Sequence, residues 1–407
     1  MSLLAALAGP TLAAPPDSTW TPLAPLPQTQ GQPVLAFATD PADGHVLLAG
    51  TAAGEIYRSA DAGQSWRLAK GGLGRGVAAL SFSPFRPGFV LAGTRGSGIW
   101  RSTDGGVSWQ PQPGAESRTA RAFSFTKSAA VAGTDQGVLV SRDLGSWTAS
   151  GLGQVAVSAL AAPAVNEPIR LVAGGDATRG SEPLPLFTSA DGGQSWVQVS
   201  GAQAGSSTVA MLVAGPLLAQ QNVRPVLLGT NTGLFLSGDN GSTWQQLTAG
   251  GVLPATDFTA AAFVTNHADR FYVASDGGVS PAGGLWSTTD GGVHFNSLSP
   301  PLSAVTALAV TNEETPTLYT ATFRGSDHAV SLWSYRDTGG QPRGPAAVPS
   351  AAPGAQTRTT ATGSHSAQPW ILALLKGPEA PYLALGLLAL LVLLVAGVTH
   401  FRKARRL

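Results

Sequence analysis

The chain has 407 residues, of which only 12% are charged, and it contains 51 glycines and 30 prolines. This composition disfavours helical bundles and coiled coils, which are rich in charged helix-forming residues. The lack of cysteine excludes disulfides, cysteine-ligated zinc, iron–sulfur clusters and a thiol nucleophile. The formal net charge is only +1, and four of the positive charges lie in the last seven residues. A nucleic-acid-binding protein would be more basic, so we predict no nucleic-acid partner.

The first residues resemble the second half of a secretory signal peptide. Leu3–Leu12 is largely apolar and small residues follow it up to Ala14, but no lysine or arginine precedes Arg58. Signal peptides normally begin with basic residues. Either translation starts further upstream, or export depends on a C-terminal anchor. We favour the first reading and predict a truncated or atypical signal peptide over residues 1–14.

Six segments of the middle region follow the common form Ser-x-Asp-x-Gly-x-x-Trp, and four of them match it in full, for example residues 59–66 and 102–109. Successive aspartates lie 39 to 51 residues apart, the length of one four-stranded propeller blade. The motif aspartates are Asp61, Asp104, Asp143, Asp191, Asp239 and Asp290, and the closing aromatic residues are Trp66, Trp109, Trp147, Trp196, Trp244 and Phe295.

Two runs with strand character precede each motif, such as residues 77–83 and 90–94. Each unit is therefore predicted to contain three strands, the motif turn and a fourth strand. A seventh unit reaches Asp337 without a closing strand, while Ser-Thr-Trp at residues 18–20 matches the Ser-Thr-Trp at 242–244. We predict an all-β, monomeric, seven-bladed propeller over residues 18–340, closed by the N-terminal strand.

The motif residues have a structural explanation. The carboxylate can accept backbone hydrogen bonds within its own turn, the glycine permits a positive φ angle, and the aromatic ring packs into the blade. Each motif offers one carboxylate, whereas calcium takes six to eight oxygen ligands. We therefore predict structural turns, with no metal and no cofactor.

These motifs resemble the Asp-box, or BNR, repeat of sialidases, Vps10/sortilin propellers, family 74 xyloglucanases and Ycf48-like photosystem assembly factors. The resemblance covers residues 18–340, and residues 83–109 are similar to the blades of the last three groups. The motif of Asp143 is one residue short, Thr288 and Phe295 replace serine and tryptophan in the sixth, and Tyr335 replaces serine in the seventh. The resemblance implies a propeller fold that hosts both enzymes and binding proteins.

A patch of arginines is the strongest candidate for a binding site. Propeller sites lie in the loops at the face where the innermost strands begin, and long loops on a rigid scaffold often bind ligands. Four arginines fall in such loops on neighbouring blades, and we predict that they form a binding patch: Arg75, Arg95, Arg118 and Arg324. Acidic residues fall on the opposite blades, an asymmetry that would orient a charged partner.

The sequence offers no catalytic set. A sialidase would need three arginines, a Tyr–Glu pair and an acidic proton donor, and the Phe-Arg-Ile-Pro signature of that family is missing. A family 74 hydrolase would need two carboxylates across a cleft, usually between two propellers. We therefore expect a binding or assembly module, similar in kind to Ycf48-like factors or sortilin ectodomains, with a protein partner. The alternative is a cell-surface glycan-binding protein or glycoside hydrolase.

The C-terminal part predicts a membrane anchor. Residues 341–380 are rich in Pro, Ala, Ser and Thr and read as a disordered stalk. Tyr382–Val398 carries no charge and is long enough to cross a bilayer, so we predict a transmembrane helix over 381–400 rather than a buried core helix. The basic tail, residues 401–407, is expected in the cytoplasm. The protein is then a single-pass membrane protein with its propeller outside.

Overall fold

The computed structural model describes residues 17–27, 31–164, 166, 168–176, 183–199, 206–217, 223–247, 253, 258–277 and 283–339. Within these ranges the chain forms 28 strands in seven four-stranded antiparallel sheets and no helix. No helix in the described part of the chain could therefore span a membrane. The residues predicted as signal peptide, transmembrane helix and basic tail, and the predicted stalk, lie outside the described ranges.

The first three blades follow one another along the chain. Blade one contains β2 (Val34–Asp40), β3 (Asp43–Thr51), β4 (Ile56–Ser59) and β5 (Arg67–Lys70); blade two contains β6 (Val77–Phe82), β7 (Val90–Thr94), β8 (Ile99–Ser102) and β9 (Gln110–Pro111); blade three contains β10 (Ala120–Phe125), β11 (Ala130–Thr134), β12 (Gly137–Ser141) and β13 (Thr148–Ala149).

The next three blades repeat this order. Blade four contains β14 (Val157–Ala161), β15 (Leu171–Gly175), β16 (Leu186–Ser189) and β17 (Val197–Gln198); blade five contains β18 (Val209–Ala214), β19 (Val226–Thr230), β20 (Gly233–Ser237) and β21 (Gln245–Leu247); blade six contains β22 (Phe258–Phe263), β23 (Phe271–Ser275), β24 (Gly284–Thr288) and β25 (Asn296–Ser297).

The seventh blade takes its strands from both ends of the propeller: β26 (Val305–Val310), β27 (Thr317–Arg324), β28 (Ala329–Arg336) and β1 (Thr21–Pro22). Each innermost strand contacts the innermost strands of both neighbouring blades, and β26 contacts β2, so the blades form a closed ring. The predicted all-β, seven-bladed propeller is confirmed.

The hydrophobic core lies between the blades. The second strands of blades two to six are buried at every residue, because a neighbouring blade covers each of their faces. Close packing requires glycine at some of these positions. A Cβ on Gly93 would lie 2.4 Å from the backbone oxygen of Ala120 in the next blade. The short outer strands are mostly polar, which protects the sheet edges.

The aspartate turns between the third and fourth strands close on themselves, as the turn of Asp104 illustrates. The Ser102 hydroxyl donates to the Asp104 carboxylate at 2.6 Å, and the same carboxylate accepts the backbone N–H of Ser108 at 2.9 Å. The backbone N–H of Gly106, at a φ of 86°, donates to the Ser102 hydroxyl. The Trp109 ring N–H donates to the Gly106 carbonyl at 3.1 Å. The carboxylate is therefore occupied by its own turn.

These hydrogen bonds make the turns sensitive to acid. Burial raises the pKa of Asp104, but the hydrogen bonds from Ser102 and Ser108 outweigh this effect and lower its pKa to about 2. Hydrogen bonds from the side chain and backbone of Ser195 lower the pKa of Asp191 to about 2 as well. The ordinary value of 3.8 applies in the unfolded chain, so the folded state binds fewer protons between these values. The stabilisation is complete above the unfolded pKa and is lost as the pH falls through the folded pKa.

We therefore expect the melting temperature to fall as the pH is lowered from about 4 to about 2. The measurement is thermal unfolding followed by circular dichroism across this range. The double variant Asp104→Asn/Asp191→Asn should lose less stability on acidification than the wild type, because two of the titrating groups are gone. An equal loss in both proteins would show that the turns are not responsible.

The seventh motif makes different contacts. Tyr335 stands where the other motifs have serine or threonine, and Asp337 is only 6% exposed. Its carboxylate accepts a hydrogen bond from the Tyr272 hydroxyl and forms an ion pair with Arg270 at 3.0 Å, both from blade six. Asp337 therefore links blade seven to blade six, at the point where the described chain ends.

The N-terminal strand is the outer strand of blade seven. Thr21 pairs with Ser334 and Pro22 with Trp333 in an antiparallel register. Just before them, Trp20 is fully buried, and its ring N–H donates to the carbonyl of Leu298 at 2.7 Å.

The ring has two faces. The entry face is the one at which the innermost strands begin, and it also carries the loops between the second and third strands. The exit face carries the aspartate turns between the third and fourth strands. Because neighbouring strands are antiparallel, β28 ends and β1 begins at the exit face. The described chain therefore starts, at Asp17, and stops, at Gly339, on the side opposite the entry face.

Candidate functional site

A continuous cavity runs along the axis of the propeller. It consists of an entry-face cavity of about 960 Å³, a central channel of about 270 Å³ and an exit-face cavity of about 370 Å³. Four residues, including Ala78 and Arg121, line both the entry-face cavity and the channel. Phe37 and Phe123 are among those that line both the channel and the exit-face cavity. A ligand at the entry face can therefore reach the axis.

A β-bulge in every blade determines which side chains meet at the mouth of the channel. The pairing of each innermost strand with its neighbour shifts register across the second residue of the strand. Bulges redirect side chains. The bulged residues all line the channel, and they are Leu35, Ala78, Arg121, Ser158, Ala210, Thr259 and Thr306.

The polar side chains among the bulged residues differ in their hydrogen bonding. Ser158, Thr259 and Thr306 each donate a hydrogen bond of 2.6 to 2.8 Å to the first backbone carbonyl of the next innermost strand. These hydroxyls tie neighbouring blades together. Arg121 occupies the same position in blade three, but it is exposed, and its guanidinium has no hydrogen bond or ion pair to any described residue. It is the one charged side chain among the described residues that line the channel.

Two further arginines surround the same entry-face cavity. Arg75 lies in the loop before β6 and Arg95 follows β7, and both are exposed. Like Arg121, neither side chain is paired with another residue in the described part of the chain. The described lining contains no aspartate or glutamate. Three guanidinium groups without a counter-charge attract anions and can bind a carboxylate or phosphate through two parallel hydrogen bonds.

The four arginines predicted as a patch are therefore in different situations. Arg75 and Arg95 line the cavity. Arg118 donates to the side-chain oxygen of Gln136 at 2.6 Å and does not line it. Arg324 donates two hydrogen bonds, of 2.8 and 2.6 Å, to its loop neighbour Asp327, so its charge is compensated.

Sequence reasoning missed Arg121, although a signal for it exists. When the seven innermost strands are aligned, Arg121 is the one charged residue at the second position. An alternating strand pattern does not single out this position, because it assumes a regular strand without a β-bulge.

The described residues also bear on catalysis. A Tyr–Glu pair is present, since the Tyr57 hydroxyl donates to the Glu55 carboxylate at 2.9 Å. However, Tyr57 is only 1% exposed, and burial together with this hydrogen bond raises its pKa above the usual range. A buried, protonated tyrosine cannot attack a substrate in the cavity. The described lining of the entry-face cavity also lacks the two carboxylates that glycoside hydrolysis needs.

No protein-family model matches the chain, and a search of curated protein sequences finds no match. Solved structures do resemble it. Ycf48 from Cyanidioschyzon merolae is 14% identical with a TM-score of 0.53, and the match covers 78% of this chain and 98% of that one. Ycf48 bound to a D1 peptide is 17% identical with a TM-score of 0.55, covering 79% and 96%.

A third resemblance is to an enzyme. The GH74 xyloglucanase from Xanthomonas campestris is 15% identical with a TM-score of 0.56, and the match covers 78% of this chain and 56% of that enzyme. The chain thus corresponds to just over half of the xyloglucanase. At these identities the three structures show a shared propeller fold, which is compatible with both binding and hydrolysis.

Proposed function

We propose that this protein is a binding module whose entry-face cavity holds an anionic segment of a partner protein. The observation that supports this function is the group of three arginines, Arg75, Arg95 and Arg121, which meet at one cavity without a carboxylate in its described lining. The positive charges of these arginines have no negative partner in the described lining of the cavity. An anion from another molecule can supply that partner.

The comparison with Ycf48 supports the mode of binding. One of the similar solved structures is Ycf48 bound to a D1 peptide, so a propeller of this fold can hold a peptide. In this chain, the arginines around the entry-face cavity would bind the partner segment through its negatively charged groups.

The same arginines favour one second candidate. Three guanidinium groups also suit the carboxylate of an acidic sugar, so an acidic glycan could occupy the entry-face cavity. Hydrolysis of such a glycan has less support, because Tyr57 is buried and the described lining has no carboxylate pair.

The proposal includes a membrane location. The apolar Tyr382–Val398 would cross the bilayer, residues 341–380 would form the stalk, and residues 401–407 would lie in the cytoplasm. We assign the turns to the Asp-box repeat and the N-terminal strand to ring closure, with residues 1–14 directing export.

The test uses the full-length chain in detergent and a fluorescein-labelled tetra-aspartate peptide, with tetra-asparagine as the neutral probe. We expect the triple variant Arg75→Ala/Arg95→Ala/Arg121→Ala to bind the acidic peptide at least tenfold more weakly by fluorescence anisotropy. Each charge-assisted hydrogen bond contributes about 1.5–3 kcal/mol, and about 1.4 kcal/mol is tenfold in affinity.

The control variant is Arg324→Ala, which removes an exposed arginine whose charge Asp327 already compensates, and its affinity should match the wild type. Sialyllactose and lactose serve as competitors. Displacement of the peptide by sialyllactose alone would favour the acidic glycan. Equal binding by the triple variant and the wild type would refute the proposed site.

A further inference from the structure

The backbone brings the three arginines of the entry-face cavity to adjacent positions on its wall. The backbone N–H of Arg95 donates to the carbonyl of Gly76, the residue after Arg75, at 2.9 Å. Arg95 also pairs in an antiparallel bridge with Thr119, which lies two residues before Arg121. Residues paired across antiparallel strands have Cα atoms about 4.5–5.5 Å apart. The three arginines therefore belong to one small area of the wall.

Two hydroxyl groups lie in the same area. Ser97 and Thr119 line the entry-face cavity, and neither hydroxyl has a hydrogen-bond partner among the described residues. Gly96 stands between Arg95 and Ser97 and leaves open space, since a Cβ there would meet no atom within 4 Å. A ligand can therefore approach the backbone at this point and reach hydroxyl donors beside the guanidinium groups.

The positive charge of this area is not compensated by the carboxylate beside it. Asp135 accepts the backbone N–H of Thr119 at 3.0 Å, and it forms no ion pair with a described residue. A carboxylate ligand has one negative charge and two oxygens, and a single guanidinium can engage both oxygens. A phosphoryl group has about −1.5 to −2 charges at pH 7 and three strong acceptor oxygens. It therefore suits three adjacent arginines better than a carboxylate does.

We infer that the anion bound by Arg75, Arg95 and Arg121 is a phosphoryl group on a phosphorylated side chain of the partner segment. This ligand class rests on the proposed function, because it concerns the same cavity, and it makes binding depend on phosphorylation of the partner. The three guanidinium groups share one phosphoryl group, and the hydroxyls of Ser97 and Thr119 donate to its oxygens. The cavity volume of about 960 Å³ leaves room for the residues that flank the phosphorylated one.

The experiment compares fluorescein-labelled peptides that differ only at a central phosphoserine, glutamate or serine, which is flanked by neutral glycines and serines. Binding to the full-length chain in detergent is measured by fluorescence anisotropy. We expect the phosphoserine peptide to bind at least about tenfold more tightly than the glutamate peptide, since each added charge-assisted hydrogen bond contributes about that factor or more. Each of the single variants Arg75→Ala, Arg95→Ala and Arg121→Ala should weaken its binding about tenfold. The control Arg324→Ala should bind it like the wild type.

The pH dependence of binding provides a second readout. Lowering the pH from about 7.5 to about 5 protonates the phosphoryl dianion, whose second pKa is about 6, so the affinity for the phosphoserine peptide should fall about tenfold. The glutamate peptide stays mostly ionised in this range, and its affinity should change less than about twofold. Arginine keeps its charge throughout, and the described lining of the cavity holds no histidine, aspartate or glutamate.

The outcomes separate the phosphoryl ligand from the proposed function. If tetra-aspartate binds but phosphoserine gives no gain over glutamate, the phosphoryl ligand is wrong and the arginine site stands. If neither tetra-aspartate nor the phosphoserine peptide binds, or if both bind the triple arginine variant as well as the wild type, both proposals are wrong. Inorganic phosphate that binds as tightly as the phosphoserine peptide would assign the site to free phosphate instead of a partner segment. Arginine-dependent binding of phosphatidate vesicles, without binding of the peptide, would assign it to a lipid headgroup.

Discussion

Replacing Trp20 by alanine is expected to lower the free energy of unfolding by about 4 kcal/mol. The side chain is fully buried, its ring centre lies 5.0 Å from that of Tyr335, and its ring N–H donates to Leu298. Alanine would leave a cavity in the last blade and a buried carbonyl without its donor. The measurement is equilibrium unfolding in guanidinium chloride, followed by far-ultraviolet circular dichroism.

Val197→Ala is the control, because Val197 is 68% exposed on the outer strand of blade four. It should change the unfolding free energy by less than about 0.5 kcal/mol. The comparison tests whether the N-terminal strand closes the ring. A change of less than about 1 kcal/mol for Trp20→Ala would mean that the strand contributes little to blade seven.

Removal of the Asp337 carboxylate is the second large effect. We expect Asp337→Ala to lower the unfolding free energy by about 3 kcal/mol, since the loss of one partner leaves a charge uncompensated in a buried site. Arg270 loses its ion pair, and the Tyr272 hydroxyl loses its acceptor. Tyr272 is itself fully buried, so its hydroxyl is left without a protein acceptor in this variant.

An exposed ion pair provides the matched control for this prediction. Asp327→Ala also removes an aspartate from an arginine, but the Arg324–Asp327 pair is about half exposed, and its loss should cost less than about 1 kcal/mol. In the double variant Asp337→Ala/Arg270→Met no buried charge remains, so the second substitution should cost little. Similar losses for Asp337→Ala and Asp327→Ala would rule out a special role for the buried group.

The architecture was predictable because most blades use the same residue types to form the turn between the third and fourth strands. The repeated motif fixes where the third strand ends, and the spacing between motifs fixes the blade length, so seven copies determine the ring. Tyr335 was visible as a departure from the pattern. The partner of Asp337 was not, because Arg270 lies 67 residues earlier and reaches it only through blade packing.

The candidate site was predictable only in part, for a similar reason. The positions of Arg75 and Arg95 in the loops identified them correctly. Loop position could not reveal that Arg118 donates its hydrogen bond to Gln136, or that Arg324 pairs with Asp327. Arg121 was hidden because an alternating strand pattern assigns a side chain to one of two faces, whereas a bulge turns it toward the axis. Individual side-chain contacts and bulges depend on the three-dimensional packing of the blades, which the spacing of motifs along the chain does not reveal.

The pairing of β1 with β28 also sets the order of folding. Thr21 and Ser334 are 313 residues apart, so this contact has one of the largest loop-closure costs in the chain. Ribosomes add about 5–20 residues per second, so the first strand waits roughly 15–60 s for its partner. During that time Trp20 has no pocket and the growing ring has an open edge, which makes the nascent chain vulnerable to aggregation until the last blade emerges.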